Sequence, residues 1–156
     1  MRCKGFTLTE LLVVISILAT LGAIAFNKYA NLQSQARIVK AMAVYGSIRE
    51  AASLAKASCT LDLSGVNEKP TCTPTGGTVD MDGTPVVILN QYPDATLAGI
   101  IAATKLNTQT DQVTIAAGNP LTVDINGGLI PECRISYAAP TTVGAPPTIT
   151  LVTMGC

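Results

Sequence analysis

From Phe6 to Phe26 the chain runs for 21 positions with Glu10 as its single ionisable side chain; from Leu11 onward only Ser16 and Thr20 are polar. About 20 consecutive apolar residues in a helix match the thickness of a bilayer core, so this stretch predicts a membrane segment or a secretion signal. Arg2 and Lys4 precede it. Positive charge on a short N-terminal flank holds that end in the cytoplasm and sends the remainder across the membrane. The pattern then changes without a break. Residues 27–57 lack proline and are rich in Ala, Leu, Lys, Gln and Arg, which favour helix. Within them Ile38, Met42, Tyr45, Ile48, Ala52 and Ala55 recur at three- and four-residue steps, predicting one buried face. A single helix from about Phe6 to about Ala57 is the simplest description.

Past Ala57 short apolar runs alternate with Gly, Pro, Asn and Thr. The segment Cys59–Gly77 is turn-rich and predicts an irregular connection. Thr78–Met81 and Thr84–Leu89 flank Asp82-Gly83, a hairpin signal. Tyr92-Pro93-Asp94 predicts the start of a short helix capped by Asp94, with Leu97, Ile100 and Ile101 facing the core. Further strands are predicted at Gln112–Ala116, Leu121–Ile125, Arg134–Ala138 and Thr148–Thr153, the last two joined by a Pro/Gly-rich turn near Thr142–Pro147. The fold class is α+β: a long N-terminal helix, hydrophobic in its first half, packed through its second half on an antiparallel sheet.

Composition narrows the chemistry. Of 156 residues 48% are hydrophobic and 13% charged, with ten basic and ten acidic side chains and no histidine or tryptophan. A histidine triad, a histidine metal site and a histidine pH switch are excluded. No basic excess exists to drive nucleic-acid binding. Asp80, Asp82 and Gly83 contain calcium-type ligands, but two carboxylates beside a glycine fit the predicted hairpin turn. Gly76-Gly77 and Gly127-Gly128 lack the residues that make a phosphate loop and predict turns. Ser16 has no neighbouring base and is expected to bond back to its own helix. Tyr29 and Tyr45 are expected to pack rather than stack on bases. No metal, cofactor or catalytic set emerges; the chain does not read as an enzyme.

Three fates for the apolar run follow from the residues: a signal peptide cut at Ala23-Ile24-Ala25, a plain anchor, or a leader cut ahead of the run so that the helix is retained. Glu10 favours the third. A carboxylate there costs about 2.5–3.5 kcal/mol on insertion scales, whereas a cut between Gly5 and Phe6 would set a new amine four residues before it, beside free helix N–H groups that favour an anion.

Lys4-Gly5-Phe6-Thr7-Leu8-Thr9-Glu10-Leu11-Leu12-Val13-Val14 resembles the N-terminal signature of type IV prepilins and type II secretion pseudopilins. The resemblance implies cleavage after Gly5 by a membrane peptidase, methylation of Phe6 as the new N-terminus, and Glu10 as the carboxylate that directs assembly. Thr9, Ala19 and Asn27 stand where the family usually has an apolar residue, a glycine and a proline. Residues 1–5 are then a leader, 6–26 the transmembrane and assembly half of the helix, 27–57 its amphipathic half and 58–156 the head. Cys3 leaves with the leader. Cys59, Cys72, Cys133 and Cys156 form an even set in an exported domain and imply two disulfides. Three pairings are open, of which Cys59–Cys72 with Cys133–Cys156 closes the shortest loops.

The final Cys…Cys segment resembles the disulfide-bounded C-terminal region of type IV pilins. Asn90–Ala95 with Ala98–Ala103, and Cys133–Tyr137 returning to Gly155-Cys156, are similar to mannose-sensitive haemagglutinin-type pilins, with Gln91 in place of the usual glycine. The implied function is a structural subunit of a surface fibre that serves attachment. Its implied partners are other copies, the peptidase/methyltransferase, the bacterial inner membrane before assembly, and an unspecified surface or host receptor. A type II secretion pseudopilin or minor pilin, and a secreted binding domain released at Ala25, are the alternatives.

Overall fold

A computed structural model describes residues 6–65 and 70–156. The chain divides into two compact units, Met1–Ala36 and Arg37–Cys156. Helix α1 covers Leu8–Leu63. Within the first unit it is long and apolar enough to cross a membrane, and none of its most apolar window is buried. The helix continues through Ala19 and Asn27. Alanine and asparagine keep the backbone N–H that a proline would remove.

The second unit contains the rest of α1 and two antiparallel sheets. Strands β1 (Gly76–Met81), β2 (Thr84–Leu89) and β3 (Tyr92–Pro93) form a sheet in that order; β4 (Val113–Ala116), β5 (Leu121–Ile125), β6 (Arg134–Ala138) and β7 (Thr148–Val152) form the other. The expected single sheet is therefore two. Each has its own core on the same side of α1. Ala41, Val44, Ile48 and Ala52 pack with Val113, Leu121, Val123, Ile125, Ile135 and Tyr137 of the four-stranded sheet. Ala55 and Cys59 pack with Val79, Val86 and Ile88 of the other. Tyr137, fully buried on β6, donates from Oη to the carbonyl of Pro93 on β3 at 2.6 Å and so joins the two sheets. Burial pushes its phenol far above the ordinary value, reinforced by Asp94 and then by Tyr92.

The buried stripe of α1 differs from the expected one by one position. Ile48, Ala52 and Ala55 are buried and Ile38 and Tyr45 partly so, but Met42 is 55% exposed and Ala41 and Val44 take the inner places. Small alanines let the sheet approach closely, and a thioether at 41 would not fit where a methyl is fully enclosed. The helix also runs six residues beyond Ala57. Cys59, expected in an irregular connection, lies in its last turns, fully buried and bonded to Cys72. The Asp62 carboxylate accepts from Thr71 N and from Cys72 N, each at 3.3 Å. These tertiary bonds hold a turn that Thr60, Asp62 and Ser64 would not favour alone. Residues 66–69 of the connection lie outside the described residues.

The β1–β2 turn forms as expected. Asp82 (φ 54°) and Gly83 (φ 75°) both occupy the left-handed region, as a type I′ turn requires, and Asp80 Oδ1 accepts from Gly83 N at 2.9 Å. The predicted helix after Tyr92 is displaced. Tyr92 and Pro93 pair with Leu89 and Ile88, and the helical segment starts after Thr96: a π turn, Leu97–Ile101, leading into Ala102–Thr104 (together α2). Thr96 Oγ1, not Asp94, accepts from the free N–H of Gly99 at 3.1 Å; Asp94 accepts from Ala95 N instead. Ile100 and Ile101 are buried, whereas Leu97 is 57% exposed.

Candidate functional site

The start of α1 is built by a reciprocal cap. Thr7 precedes the first helical residue, Leu8, and Glu10 is the third residue in. Thr7 N and Thr7 Oγ1 both donate to Glu10 Oε2, at 2.9 and 2.8 Å, while Glu10 N donates back to Thr7 Oγ1 at 3.3 Å. This is a capping box: threonine and glutamate three apart satisfy donors that the first helical turn leaves over. The T-x-x-E spacing carries that signal, so Thr7 is a site residue readable from sequence although it bears no charge. Glu10 Oε1 has no hydrogen-bond partner among the described residues. It borders an open groove lined by Phe6, Thr9, Val13 and Val14.

Phe6 is 73% exposed, and every residue from Phe6 to Phe26 is exposed. Gly5, the predicted cleavage residue, lies outside the described residues, as does Cys3. The two polar side chains of the run are internally satisfied: Ser16 Oγ donates to Leu12 O and Thr20 Oγ1 to Ile17 O, each at 2.8 Å. Ser16 thus bonds to its own helix as expected. Tyr45 packs partly against the core, and Tyr29 is 63% exposed.

Cys59–Cys72 and Cys133–Cys156 are both formed, the pairing with the shortest loops. The second ties the end of β7 to the start of β6. Arg37, on α1, donates through Nε to the carbonyl of Cys156, so the cystine and the helix meet. Asp80 serves the hairpin turn, and Asp82 pairs with Lys105, which holds its carboxyl below the usual range. Gly76 and Gly77 belong to β1, and Gly127-Gly128 form a turn. Among the described residues no three His, Cys, Asp or Glu side chains come together as a metal site would require. The β2–β3 connection places Asn90 (φ 52°) and Gln91 (φ 74°) in the left-handed region, a conformation that favours glycine.

The family model described as the prokaryotic N-terminal methylation motif matches residues 1–26. Over 72 residues (46% of this chain and 56% of the relative) the chain is 39% identical to the type IV narrow pilus major component PilA5 of Thermus thermophilus. Over 59 residues (38% and 35%) it is 37% identical to the type IV major fimbrial protein FimA of Dichelobacter nodosus. The matches thus span about half of the first relative and about a third of the second. No solved structure matches the chain. The N-terminal motif, the two pilin relatives and an α+β architecture carrying two disulfides together support the type IV pilin family for this chain.

Proposed function

We propose that the chain is a structural subunit of a type IV pilus filament, processed between Gly5 and Phe6, methylated on Phe6 and polymerised through its N-terminal helix. The observation that carries this is the wholly exposed run Phe6–Phe26, which begins at a capped carboxylate and ends with no break in α1. Such a surface is stable in lipid or against other helices, not in water. Before assembly residues 6–26 lie in the inner membrane with the head in the periplasm. During assembly lipid contacts give way to helix packing, which Ala19, Gly22, Ala23 and Ala25 allow by their small size.

Glu10 makes that transfer selective. A carboxylate buried without a partner is strongly destabilising. Thr7 supplies two donors to one oxygen, and the open Oε1 is left for the methylated amine of Phe6 on a neighbouring copy. The ion pair then sets the axial register of the filament. The fibre serves attachment to surfaces, and the Asn90–Ala103 and Cys133–Cys156 stretches favour the mannose-sensitive haemagglutinin-type subgroup. The Cys133–Cys156 tie favours a pilin over a pseudopilin, which commonly lacks it.

Mass spectrometry of the mature chain tests the processing: a chain starting at methylated Phe6 is expected, and one starting at Phe26 refutes the proposal. Electron microscopy of cells lacking the gene tests the role, with loss of long fibres expected for a major subunit.

A further inference from the structure

Among the described residues, most charged side chains of the second unit are engaged. Of its described cations, Arg37, Lys40, Lys56, Lys105 and Arg134 each hold a carbonyl, a phenol or a carboxylate. Arg49 alone makes no hydrogen bond or ion pair. It stands in a groove between α1 and the β6–β7 connection, walled by Tyr45, Tyr92, Pro146, Pro147 and Ile149. Lys56 lies over the Tyr92 ring and adds positive charge. The groove volume, about 310 Å³, is at the lower limit for small-molecule sites and suits a few side chains.

Elsewhere on the same unit is a surface of complementary character. Leu129, Ile130 and Met154 are 67%, 64% and 92% exposed, on backbone held rigidly by Leu129 N to Gly155 O, Gly155 N to Glu132 O and the Cys133–Cys156 bond. Glu132, exposed beside them, has no side-chain partner. This apolar tip adjoins Cys156 and hence Arg37, about two helical turns before the groove begins at Tyr45.

We infer that the tip of one copy (Leu129, Ile130, Met154 and Glu132) docks in the Arg49 groove of a second copy. Apolar side chains meet the tyrosine and proline walls, and the Glu132 carboxylate meets the Arg49 guanidinium. Tip and groove are different surfaces displaced along α1. Their contact is therefore heterologous, and repeating it generates an open helical array rather than a closed dimer. Glu50, the other unpartnered acid among the described residues, neighbours Arg49 but has no exposed apolar cluster beside it. The inference rests on the polymerisation proposed above and adds a head-to-head contact to the helix contact.

The test uses the full chain in fibre-forming cells, with sheared-fibre yield measured against membrane-held monomer. Arg49→Glu and Glu132→Arg each bring like charges together in the docked pair and are expected to lower yield about tenfold; combined, they restore opposite charge and recover it to within about threefold. Both sites are exposed, and the melting temperature of the solubilised monomer is expected to be unchanged. Normal fibres from both single variants, or no recovery in the double variant, overturns the docking and leaves polymerisation standing. Recovery of Arg49→Glu by Glu50→Arg in place of Glu132→Arg overturns it as well. Absence of fibres from the unaltered chain overturns both.

Discussion

Tyr137→Phe tests how the two sheets are held together. Its hydroxyl is fully buried and makes one hydrogen bond, to the buried Pro93 carbonyl at 2.6 Å. Phenylalanine keeps the ring and its packing but leaves that carbonyl without a donor, a loss of about 1–3 kcal/mol. In a unit of 120 residues (37–156), each kcal/mol moves the melting temperature by about 4 °C, so a fall of roughly 4–12 °C is expected at pH 7. The substitution has a second signature. The native phenol is raised far above its ordinary value of 10.0, so the folded state keeps a proton that the unfolded state releases. Stability from this group is complete below about pH 10 and is lost as pH rises beyond it, by about 1.4 kcal/mol per pH unit. The variant has no such loss, and the gap between the two proteins narrows above pH 10. The assay is near-UV circular dichroism melting of the detergent-solubilised chain from pH 7 to 11, since far-UV signal is dominated by α1. Equal melting temperatures at pH 7, or a gap that stays constant through pH 11, would refute the account of Tyr137 as the bond between the sheets.

Other perturbations separate assembly from folding. Glu10→Ala is expected to give a processed, membrane-resident monomer with an unchanged head melting transition and no fibres; normal fibres by electron microscopy would count against the ion-pair mechanism. Replacing Cys133 and Cys156 by serine opens a loop of sequence separation 23 and is expected to cost about 3 kcal/mol on the chain-entropy account, read as a lower urea midpoint. Gly77 has φ +119°, and a Cβ there would lie 2.2 Å from the Thr71 carbonyl; Gly77→Ala is expected to destabilise by about 1–3 kcal/mol and to speed proteolysis between α1 and β1. Asp62→Ala leaves the Thr71 and Cys72 N–H groups without the carboxylate that accepts from them, and faster hydrogen exchange at those two amides is the expected readout.

Alternation and turn chemistry made the strands legible: Leu121–Ile125 and Arg134–Ala138 fall where their patterns place them, and Asp82-Gly83 marks its hairpin. The long helix was legible from its run of good formers, but its end was not, because Cys59 and Asp62 are held helical by Cys72 and Thr71, which are distant in sequence. The inner face lies one residue away from the hydrophobic pattern because hydrophobicity ranks Met42 above Ala41, whereas close packing on a sheet selects the smaller side chain. Asp94 and Thr96 are both sound caps, and only the pairing of Tyr92–Pro93 with β2 decides between them. At the candidate site Glu10 stood out as a lone charge. Thr7 did not, although the three-residue spacing between them is a local signal.

Strand β7 lies at the edge of its sheet and pairs with β6 alone. An edge strand is ordinarily the place where a sheet comes apart, one rung after another from a loose end. Here the hairpin turn closes one end and the cystine the other, so the two strands form a covalent ring with no end from which to start. In a filament of the kind proposed above, pulling β7 away from β6 is blocked at both ends, so load reaching this hairpin falls on the covalent ring before it falls on the rungs.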